Sequence, residues 1–321
     1  MNKIRRIIVT AIAVAGLAAT TQAQEFPIYN QYHFHGYLMN PALAGAAECS
    51  HFMLTHKQQW IGIKDAPMTT ILSFQTRTQK RLGIGAYLFN DKNGYSLQQG
   101  GQFSLAYHIP MSTGNRYSKH TTLDRQLSFG VSGKVYRYDH SDDLAKEVYQ
   151  QEGIDIQSKN GFFPNANFGV FYQSYAFFTG LSITNLVPVK IDIYGDNEPL
   201  RPLTAFYQLG YAFEAQRGVQ LEPSAVFHID GNARKQLDVS FRVLQHLDRD
   251  DISWWAGVTA KQNFDDVYKA LVLLPHFTVR LGKFRVGYAV NLDLNKLFSN
   301  NYGSHELMLG YSFCSTKQFC R

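Results

Sequence analysis

The chain has 321 residues, a formal net charge of +6, 14% aromatic residues, 25 glycines and three cysteines. After the N-terminal segment, no stretch reaches the roughly 18 consecutive apolar residues that a membrane-spanning helix needs, which excludes a helical membrane protein. The catalytic and phosphate-binding signatures G-x-S-x-G, H-E-x-x-H, C-x-x-C and the Walker loop are also absent.

Residues 1–23 have the three parts of a secretory signal peptide. Three basic residues lie within the first six positions, an apolar stretch of 13 residues spans 7–19, and the small-residue sequence 21–23 provides a cleavage site. The mature chain is therefore expected to begin near Gln24 and to be exported. Its 28 Lys and Arg against 25 Asp and Glu leave a charge of +3, too small to suggest nucleic-acid binding.

Residues 24–50 form an irregular segment that is rich in Tyr and Phe and contains Asn40-Pro41. The segment keeps neither a strand period nor a helix period for long. An irregular segment of this apolarity needs a surface to bury on. We expect it to lie in the periplasm and to pack under or into the domain that follows, or on a partner protein.

Residues 51–314 contain fourteen segments in which polar and apolar residues alternate, separated by turn residues. The segment lengths cluster near the about 9–11 residues that a tilted membrane strand needs, and an even number places both ends of a closed barrel in the periplasm. The prediction is an all-β fold, a transmembrane antiparallel β-barrel of about 14 strands in the outer membrane.

The last segment, 303–313, shows the alternation most clearly. One face carries apolar residues that end in two aromatics, and the other face carries small or polar residues and one methionine; the apolar set is Leu307, Leu309, Tyr311 and Phe313. Outer-membrane barrels have such an apolar outer face with aromatic residues at the interface. A soluble β-sandwich would show similar alternation. The signal peptide and the number of strands favour the membrane barrel.

Connection lengths predict the orientation, because periplasmic turns of such barrels are short and extracellular loops are longer. Connections after even-numbered strands are short except for 110–125. That loop carries four basic or titratable residues, which make it a candidate periplasmic partner loop: Arg116, Lys119, His120 and Arg125. The alternative is an ordinary solvated loop.

The three cysteines lie near the two ends of the predicted barrel. Cys49 precedes the first strand, Cys314 follows the last, and Cys320 lies in a C-terminal periplasmic tail, 315–321. The first and last strands of a closed barrel are neighbours, and the periplasm oxidises thiols. A bond from Cys49 to either of the other two is expected, with Cys314–Cys320 as the competing pair.

Short motifs along the chain resemble the PorP/SprF family of type IX secretion system outer-membrane proteins of Bacteroidetes. The stretches that carry the resemblance are Y-N-Q-Y with N-P-A-L-A-G, Q-W-I-G followed by A-P-M-T, D-x-x-G with A-Y-H-I, P-N-A with F-G, L-E-P-S, and G-S-H-E. The motif residues that we single out are Asn40, Pro41, Gly45, Trp60, Gly62, Ala66, Pro67, Pro164, Asn165, Pro223, Ser224, Gly303, Ser304, His305 and Glu306.

This resemblance implies a non-enzymatic integral outer-membrane protein with no cofactor and no catalytic or metal site. It implies a role in exporting large cell-surface proteins or gliding-motility adhesins, in contact with outer-membrane lipid and periplasmic parts of the secretion machine, and with exported substrates as further candidate partners. The long 110–125 connection departs from the family pattern. The alternatives are a porin or transporter for a small solute, and a dedicated companion of one exported substrate.

Overall fold

The computed structural model describes residues 35–47, 49–78, 81–94, 96–111, 125–140, 161–188, 202–216, 218–247, 252–264, 271–294 and 301–313. Over these ranges fifteen strand segments form one antiparallel sheet. They are β1 (Ser50–Gln58), β2 (Met68–Arg77), β3 (Leu82–Asn93), β4 (Ser96–Pro110), β5 (Arg125–His140), β6 (Gly161–Ser174), β7 (Phe177–Thr184), β8 (Thr204–Tyr211), β9 (Phe213–Gln216), β10 (Val219–Asp230), β11 (Lys235–His246), β12 (Ile252–Asn263), β13 (Leu271–Leu281), β14 (Phe284–Asp293) and β15 (Ser304–Phe313).

The sheet closes into a barrel. Consecutive strands pair with one another around the ring, and β1 pairs with β15 from Ser50 opposite Phe313 to Gln58 opposite His305. The segments β8 and β9 both pair with β10 and are two parts of one strand interrupted at Ala212. The fifteen segments therefore make fourteen barrel strands, as predicted.

Side chains alternate between the two faces of the wall as the sequence predicts. On β15 the outward residues Leu307 and Leu309 are 43% and 44% exposed, while Glu306 and Met308 face inward at 1% and 0%. The predicted outward residues of β5, β11 and β14 are likewise exposed, among them Val131, Val239 and Val286. An apolar outer face and a mainly polar inner face are what a membrane barrel requires.

One local prediction differs from the structure. The alternation of the first segment predicts a strand over residues 51–62, but the strand ends at Gln58, because Trp60 takes a positive φ of 46° that turns the chain away from the sheet. The N-terminal segment also holds two single-turn 3₁₀ helices, Gly36–Leu38 and Pro41–Leu43. Within the described residues, no helix is both long and apolar enough to cross a membrane.

The seam between β1 and β15 is reinforced on both faces. On the outer face the ring of Phe74 lies 4.6 Å from that of Phe52 and stacks at 6.4 Å from that of Phe313. On the inner face His51 Nδ1 and Ser312 Oγ are 2.8 Å apart. We call the end of the barrel where Ser50 and Phe313 meet the terminal rim, and the opposite end the distal rim; sequence predicts that the terminal rim is periplasmic.

Cys49 is buried at the terminal rim and forms a disulfide bond. Cys314 and Cys320 lie outside the described residues. Ser50, the residue after Cys49, pairs with Phe313, the residue before Cys314. The pairing partner of Cys49 therefore stays a prediction, and the register of the seam supports a partner from the C-terminal end of the chain.

The first testable prediction concerns the outer face. Val286→Arg is expected to lower the stability of the folded barrel by about 2–4 kcal/mol, the cost of arginine near the bilayer midplane. Val286 is 48% exposed on the outward face of β14. The measurement is urea unfolding of the protein refolded into lipid vesicles, with Val286→Leu as the apolar control. Equal stability of the two variants would contradict the assignment of this face to lipid.

The second prediction concerns the seam disulfide. Non-reducing peptide mapping of protein isolated from membranes is expected to recover a peptide pair that joins Cys49 to Cys314 or Cys320. Cys49→Ser should destabilise the barrel by about 2–4 kcal/mol, because the bridge closes a long loop. Recovery of a Cys314–Cys320 pair with free Cys49 would show that the prediction is wrong.

Candidate functional site: the lumenal plug

Residues 35–47, which we call the plug, lie inside the barrel. Tyr37, Ala42 and Ala44 are 1%, 0% and 0% exposed. Asn40 starts the second 3₁₀ turn, since its Oδ1 accepts a hydrogen bond from Ala42 N at 3.0 Å and Pro41 occupies the first helical position. The N-P-A-L-A-G motif thus encodes a compact turn that fits inside the lumen.

Hydrogen bonds fasten the plug to groups of four strands, β2, β4, β6 and β7, which give polar groups of this irregular segment partners in the wall. Asn40 Nδ2 donates to Val170 O at 3.1 Å, Ser182 Oγ donates to Met39 O at 2.8 Å, and Tyr37 Oη donates to Ser104 Oγ at 3.2 Å. The remaining contacts join His35 Nε2 to Ser73 Oγ at 2.6 Å and His108 Nε2 to Ala44 O at 3.0 Å.

Four inward-facing glycines form the surface on which the plug rests, and we call them the glycine platform: Gly83, Gly85, Gly130 and Gly169. A Cβ atom at Gly130 would lie 2.3 Å from Ala42 N, and one at Gly83 would lie 2.1 Å from Ala44 O. At Gly169 it would lie 2.0 Å from Asn40 Oδ1. At Gly83 and Gly130 no other residue type leaves room for the plug backbone, and at Gly85 and Gly169 the side chains of Tyr37 and Asn40 occupy the space.

A hydrophobic cluster joins the plug to the wall beside the platform. Tyr37, Leu38 and Ala44 pack with a group of inward-facing wall residues: Ile71, Tyr87, Phe89, Ala106, Tyr136 and Tyr138. The alternation of the strands predicts apolar residues toward lipid and polar residues toward the lumen, and this prediction of a polar lumen is wrong for this side of the barrel. Burying the plug's apolar side chains requires apolar wall residues opposite them.

The chain leaves the plug through a clamp at the terminal rim. Gly45 has a positive φ of 62°, its N–H donates to Gln75 Oε1 at 3.3 Å, and its carbonyl accepts from Arg77 Nε at 3.1 Å. Arg77 Nη2 also donates to Gln126 Oε1 at 2.7 Å. The clamp fixes the path of the chain from the lumen toward Cys49 and β1.

A second group of motif residues meets at the distal rim. The loop after β1 pairs with the segment before β15, because Ile61 N donates to Gly303 O at 2.9 Å and Tyr302 N donates to Ile61 O at 2.9 Å. Trp60 N donates to Ser304 Oγ at 3.2 Å. The Q-W-I-G and G-S-H-E motifs, distant in sequence, thus build one ordered loop pair.

The other predicted site residues lie apart from these two groups or outside the described residues. Asn165 on β6 binds the chain after β7 through Val187 O at 3.1 Å, with Pro164 beside it on the outer face, and Pro223 and Ser224 lie in β10. Arg125 starts β5, and its guanidinium lies 4.9 Å from the ring centre of Tyr175. Three residues of the candidate partner loop are not described: Arg116, Lys119 and His120.

The remaining motif residues support the loops at the distal rim. Pro67 ends the first distal loop, where its carbonyl accepts from Gln59 N at 2.8 Å, with Ala66 before it. Gly62 packs on the ring of Tyr302, and His305 lies against Tyr302 O at 3.0 Å. Over the part of the chain that the structure describes, no cluster of three or more His, Cys, Asp or Glu could hold a metal ion.

Sequence reasoning missed the residues that receive the plug. The platform glycines, Arg77 and His108 were not singled out, although Gly83-Ile84-Gly85 shows the signal that could have found them. Glycines at alternate positions of a strand leave one face without side chains, which marks close approach of another backbone.

The sequence matches the model of the family described as type IX secretion system membrane protein PorP/SprF over residues 21–311. The chain belongs to this family. It is an outer-membrane β-barrel associated with type IX secretion. The motifs N-P-A-L-A-G, Q-W-I-G and G-S-H-E therefore correspond to the plug turn and the distal loop pair.

Comparison with curated proteins found no match. Among solved structures, the barrel is similar to the Ralstonia pickettii toluene transporter TbuX, with 13% identity, a TM-score of 0.50 and coverage of 86% of this chain and 92% of that one. It is also similar to the Pseudomonas putida toluene transporter TodX, with 10% identity, coverage of 90% and 95%, and a TM-score of 0.46. The Acinetobacter baumannii outer membrane protein Omp33 shares 8% identity over 84% and 100% of the chains, with a TM-score of 0.45. Similarity at these identities shows the fold alone.

The glycine platform leads to the third prediction. Gly130→Ala is expected to displace the plug, because its methyl group would collide with backbone atoms of Pro41 and Ala42. The measurement is chymotrypsin cleavage at Tyr37 in the detergent-purified protein, which should become several times faster. Gly133→Ala on the same strand is the matched control, since no atom lies within 4 Å of the added methyl. Equal protection of all three proteins would contradict the role of the platform.

The fourth prediction concerns acid release of the plug. Burial, together with the charges of His51 and Arg285, lowers the pKa of His35 from 6.5 to about 3. Below pH 6.5 a released His35 takes up a proton that the docked residue does not, so docking weakens as pH falls, by about 1.4 kcal/mol per unit. Above pH 6.5 His35 is neutral in both the docked and the released segment, so the docking free energy is at its full value.

Hydrogen exchange of residues 35–47 between pH 7 and pH 4.5, corrected for the intrinsic pH dependence of exchange, measures this release. Protection should fall in wild type and should change less in His35→Gln, which carries no titratable group. The same pH profile in both proteins would show that His35 does not control docking.

Proposed function

We propose that this protein is a non-enzymatic structural component of the type IX secretion machine, which holds periplasmic machine parts at the outer membrane or handles exported cell-surface proteins. The observation that carries the proposal is the plug. Residues 35–47 are fastened inside the lumen to strands on one side of the barrel. A barrel whose lumen is occupied by its own chain is suited to presenting surfaces to partners.

The energetics of the plug support a stable rather than a briefly docked segment. Each buried hydrogen bond is worth about 1 kcal/mol net, and breaking one without replacement costs about 1–3 kcal/mol. Releasing the plug would break the bonds of Asn40, Ser182 and His108 together and expose Tyr37. The free-energy cost of losing these contacts opposes release of the plug, and therefore opposes opening of the lumen as a free channel for solutes.

Two surfaces are available for partners under this proposal. At the distal rim, the loop pair built by Trp60, Gly303 and Ser304 is ordered by hydrogen bonds. With the predicted orientation it faces the cell exterior, where exported proteins emerge. At the terminal rim lie Pro110 and Arg125, which border the candidate partner loop, and with the predicted orientation this rim faces the periplasm, where machine parts would bind.

The alternative that the protein is a small-solute transporter predicts a conducting lumen. The fold shared with TbuX does not decide between the two functions, because the same barrel architecture serves many roles. The plug opposes the transporter function. The distal loop pair is equally compatible with a substrate-handling role and with a purely structural one.

The fifth prediction tests the proposal in two measurements. Affinity purification of the native protein from membranes in mild detergent is expected to recover periplasmic secretion components. Planar-bilayer recordings of the purified protein should show little conductance, and Gly130→Ala should conduct more because its plug is displaced. Gly133→Ala serves as the control and should behave as wild type.

Two outcomes would contradict the proposed function. Steady porin-like conductance of the wild-type protein would favour solute transport. Normal secretion of cell-surface proteins in cells that lack this protein would show that it is not needed by the machine.

A further inference from the structure

The inner wall opposite the plug carries a group of basic residues. Strands β11 to β14 place four cationic side chains on the inward face, each no more than 8% exposed: Arg242, Lys261, Arg280 and Arg285. Charged side chains inside a barrel remain only where water, an opposite charge or a bound ion accompanies them. Each cation therefore needs a counter-charge.

Arg242 and Lys261 each have an acidic partner on a neighbouring strand. Arg242 Nη2 forms an ion pair with Glu222, and Lys261 Nζ lies 3.8 Å from Asp238 Oδ2. The inward Glu306 on β15 lies opposite Lys57 of β1 in the strand register. These acidic residues are thus placed beside cations other than Arg285.

Arg285 is in a different position. In the strand register it lies directly opposite Arg280, another cation, and on its other side it lies opposite Gly310. Side chains directly opposite on one face lie about 4.5–5.5 Å apart at their Cβ atoms, where like charges destabilise the pair. The wall therefore brings two guanidinium groups together without an acid between them in the register.

Two of the three guanidinium nitrogens of Arg285 are buried without a hydrogen-bond partner in the part of the chain that the structure describes. Its side chain is 6% exposed, and among the residues that the structure describes its Nε and Nη2 have no hydrogen-bond partner. Its Cζ lies 5.3 Å from the ring centre of Trp255. Stacking on an aromatic ring holds a guanidinium in place while leaving its in-plane N–H groups to bind.

Two hydroxyl groups lie next to this pair. Ser253 is opposite Arg280 on β12, and Thr278 is two positions before Arg280 on the same inward face. They are 0% and 1% exposed, and within the described ranges neither Ser253 Oγ nor Thr278 Oγ1 has a hydrogen-bond partner. Hydroxyl donors beside guanidinium forks are typical of sites that bind oxyanions.

We propose that Arg285, with Arg280, Ser253 and Thr278, forms a lumenal binding site for a carboxylate or phosphate oxyanion. The fork of Arg285 binds two oxygens of the anion, and the facing Arg280 supplies the second positive charge. The bound anion supplies a counter-charge for Arg285 and accepts hydrogen bonds from its buried donors. This site does not depend on the proposed role in secretion.

The site lies close to the start of the plug. The charge of Arg285 is one cause of the lowered pKa of His35, whose Nε2 bonds to Ser73 on β2, three strands from β14 in the sheet. An anion at Arg285 would screen that charge and make docking of His35 less sensitive to acid. The occupant is either a free anion or the carboxylate of Glu25, which is ten residues before His35 in the sequence.

The experiment uses the full mature protein in detergent and isothermal titration calorimetry with sodium phosphate and, separately, sodium acetate at constant chloride. Wild type is expected to bind at one site per chain. Arg285→Gln should bind at least about tenfold more weakly, as expected from loss of a charge-assisted hydrogen bond. Arg285→Lys, which keeps the charge without the planar fork, should bind with intermediate affinity.

The control is Arg81→Gln, which removes an exposed arginine whose Nη1 donates to Tyr107 Oη at 3.4 Å at the terminal rim. It should leave binding unchanged. Glu25→Gln separates the two sources of the anion. Binding that appears or strengthens in Glu25→Gln supports the site and identifies Glu25 as its occupant, whereas equal binding in wild type and Glu25→Gln supports a free anion.

Thermal unfolding provides a readout that does not require the variants to bind. Without oxyanion, Arg285→Gln should melt at or above the wild-type temperature, because it removes a buried charge whose Nε and Nη2 have no hydrogen-bond partner among the described residues. Phosphate or acetate should raise the melting temperature of the wild type and leave that of Arg285→Gln nearly unchanged. Absence of saturable binding in both wild type and Glu25→Gln, or binding that Arg285→Gln leaves unchanged, would overturn the proposal.

Discussion

Pairing of backbone groups in the bilayer is the constraint on which the rest of this structure depends. An unpaired N–H or C=O group in lipid costs several kcal/mol, so a membrane sheet must close on itself. Here β1 pairs with both β2 and β15, and β10 pairs with β8, β9 and β11. Closure fixes which residues face inward, and therefore fixes the positions of the plug, the glycine platform and the basic wall.

The closed lumen is divided into two chemically different halves. On the side of β2 to β7, glycines and aromatic residues receive the plug. On the side of β11 to β14, ion pairs and arginines line the wall. The plug can pack closely on the first half because Gly83, Gly130 and Gly169 expose their backbone, whereas charged side chains occupy the second half.

Several family motifs lie where one segment of the structure is held against another. Asn40 and Pro41 shape the turn that lies inside the barrel, and Gly45 is held by Arg77 where the chain leaves it. Trp60 and Ser304 join two loops at the distal rim beside the β1–β15 seam. These residues fix the segments that occupy and border the lumen.

The sequence by itself determined the number of barrel strands and their faces, because these follow from a period of two, and its motifs pointed to the family. The alternation within β15 alone indicates that Leu307 and Leu309 face outward and Glu306 faces inward, without reference to the neighbouring strands. Tertiary structure alone decided where the plug rests and which residues receive it. The contact of Gly130 with Ala42 and the opposition of Arg280 and Arg285 depend on register and closure, which bring together positions that no local pattern connects.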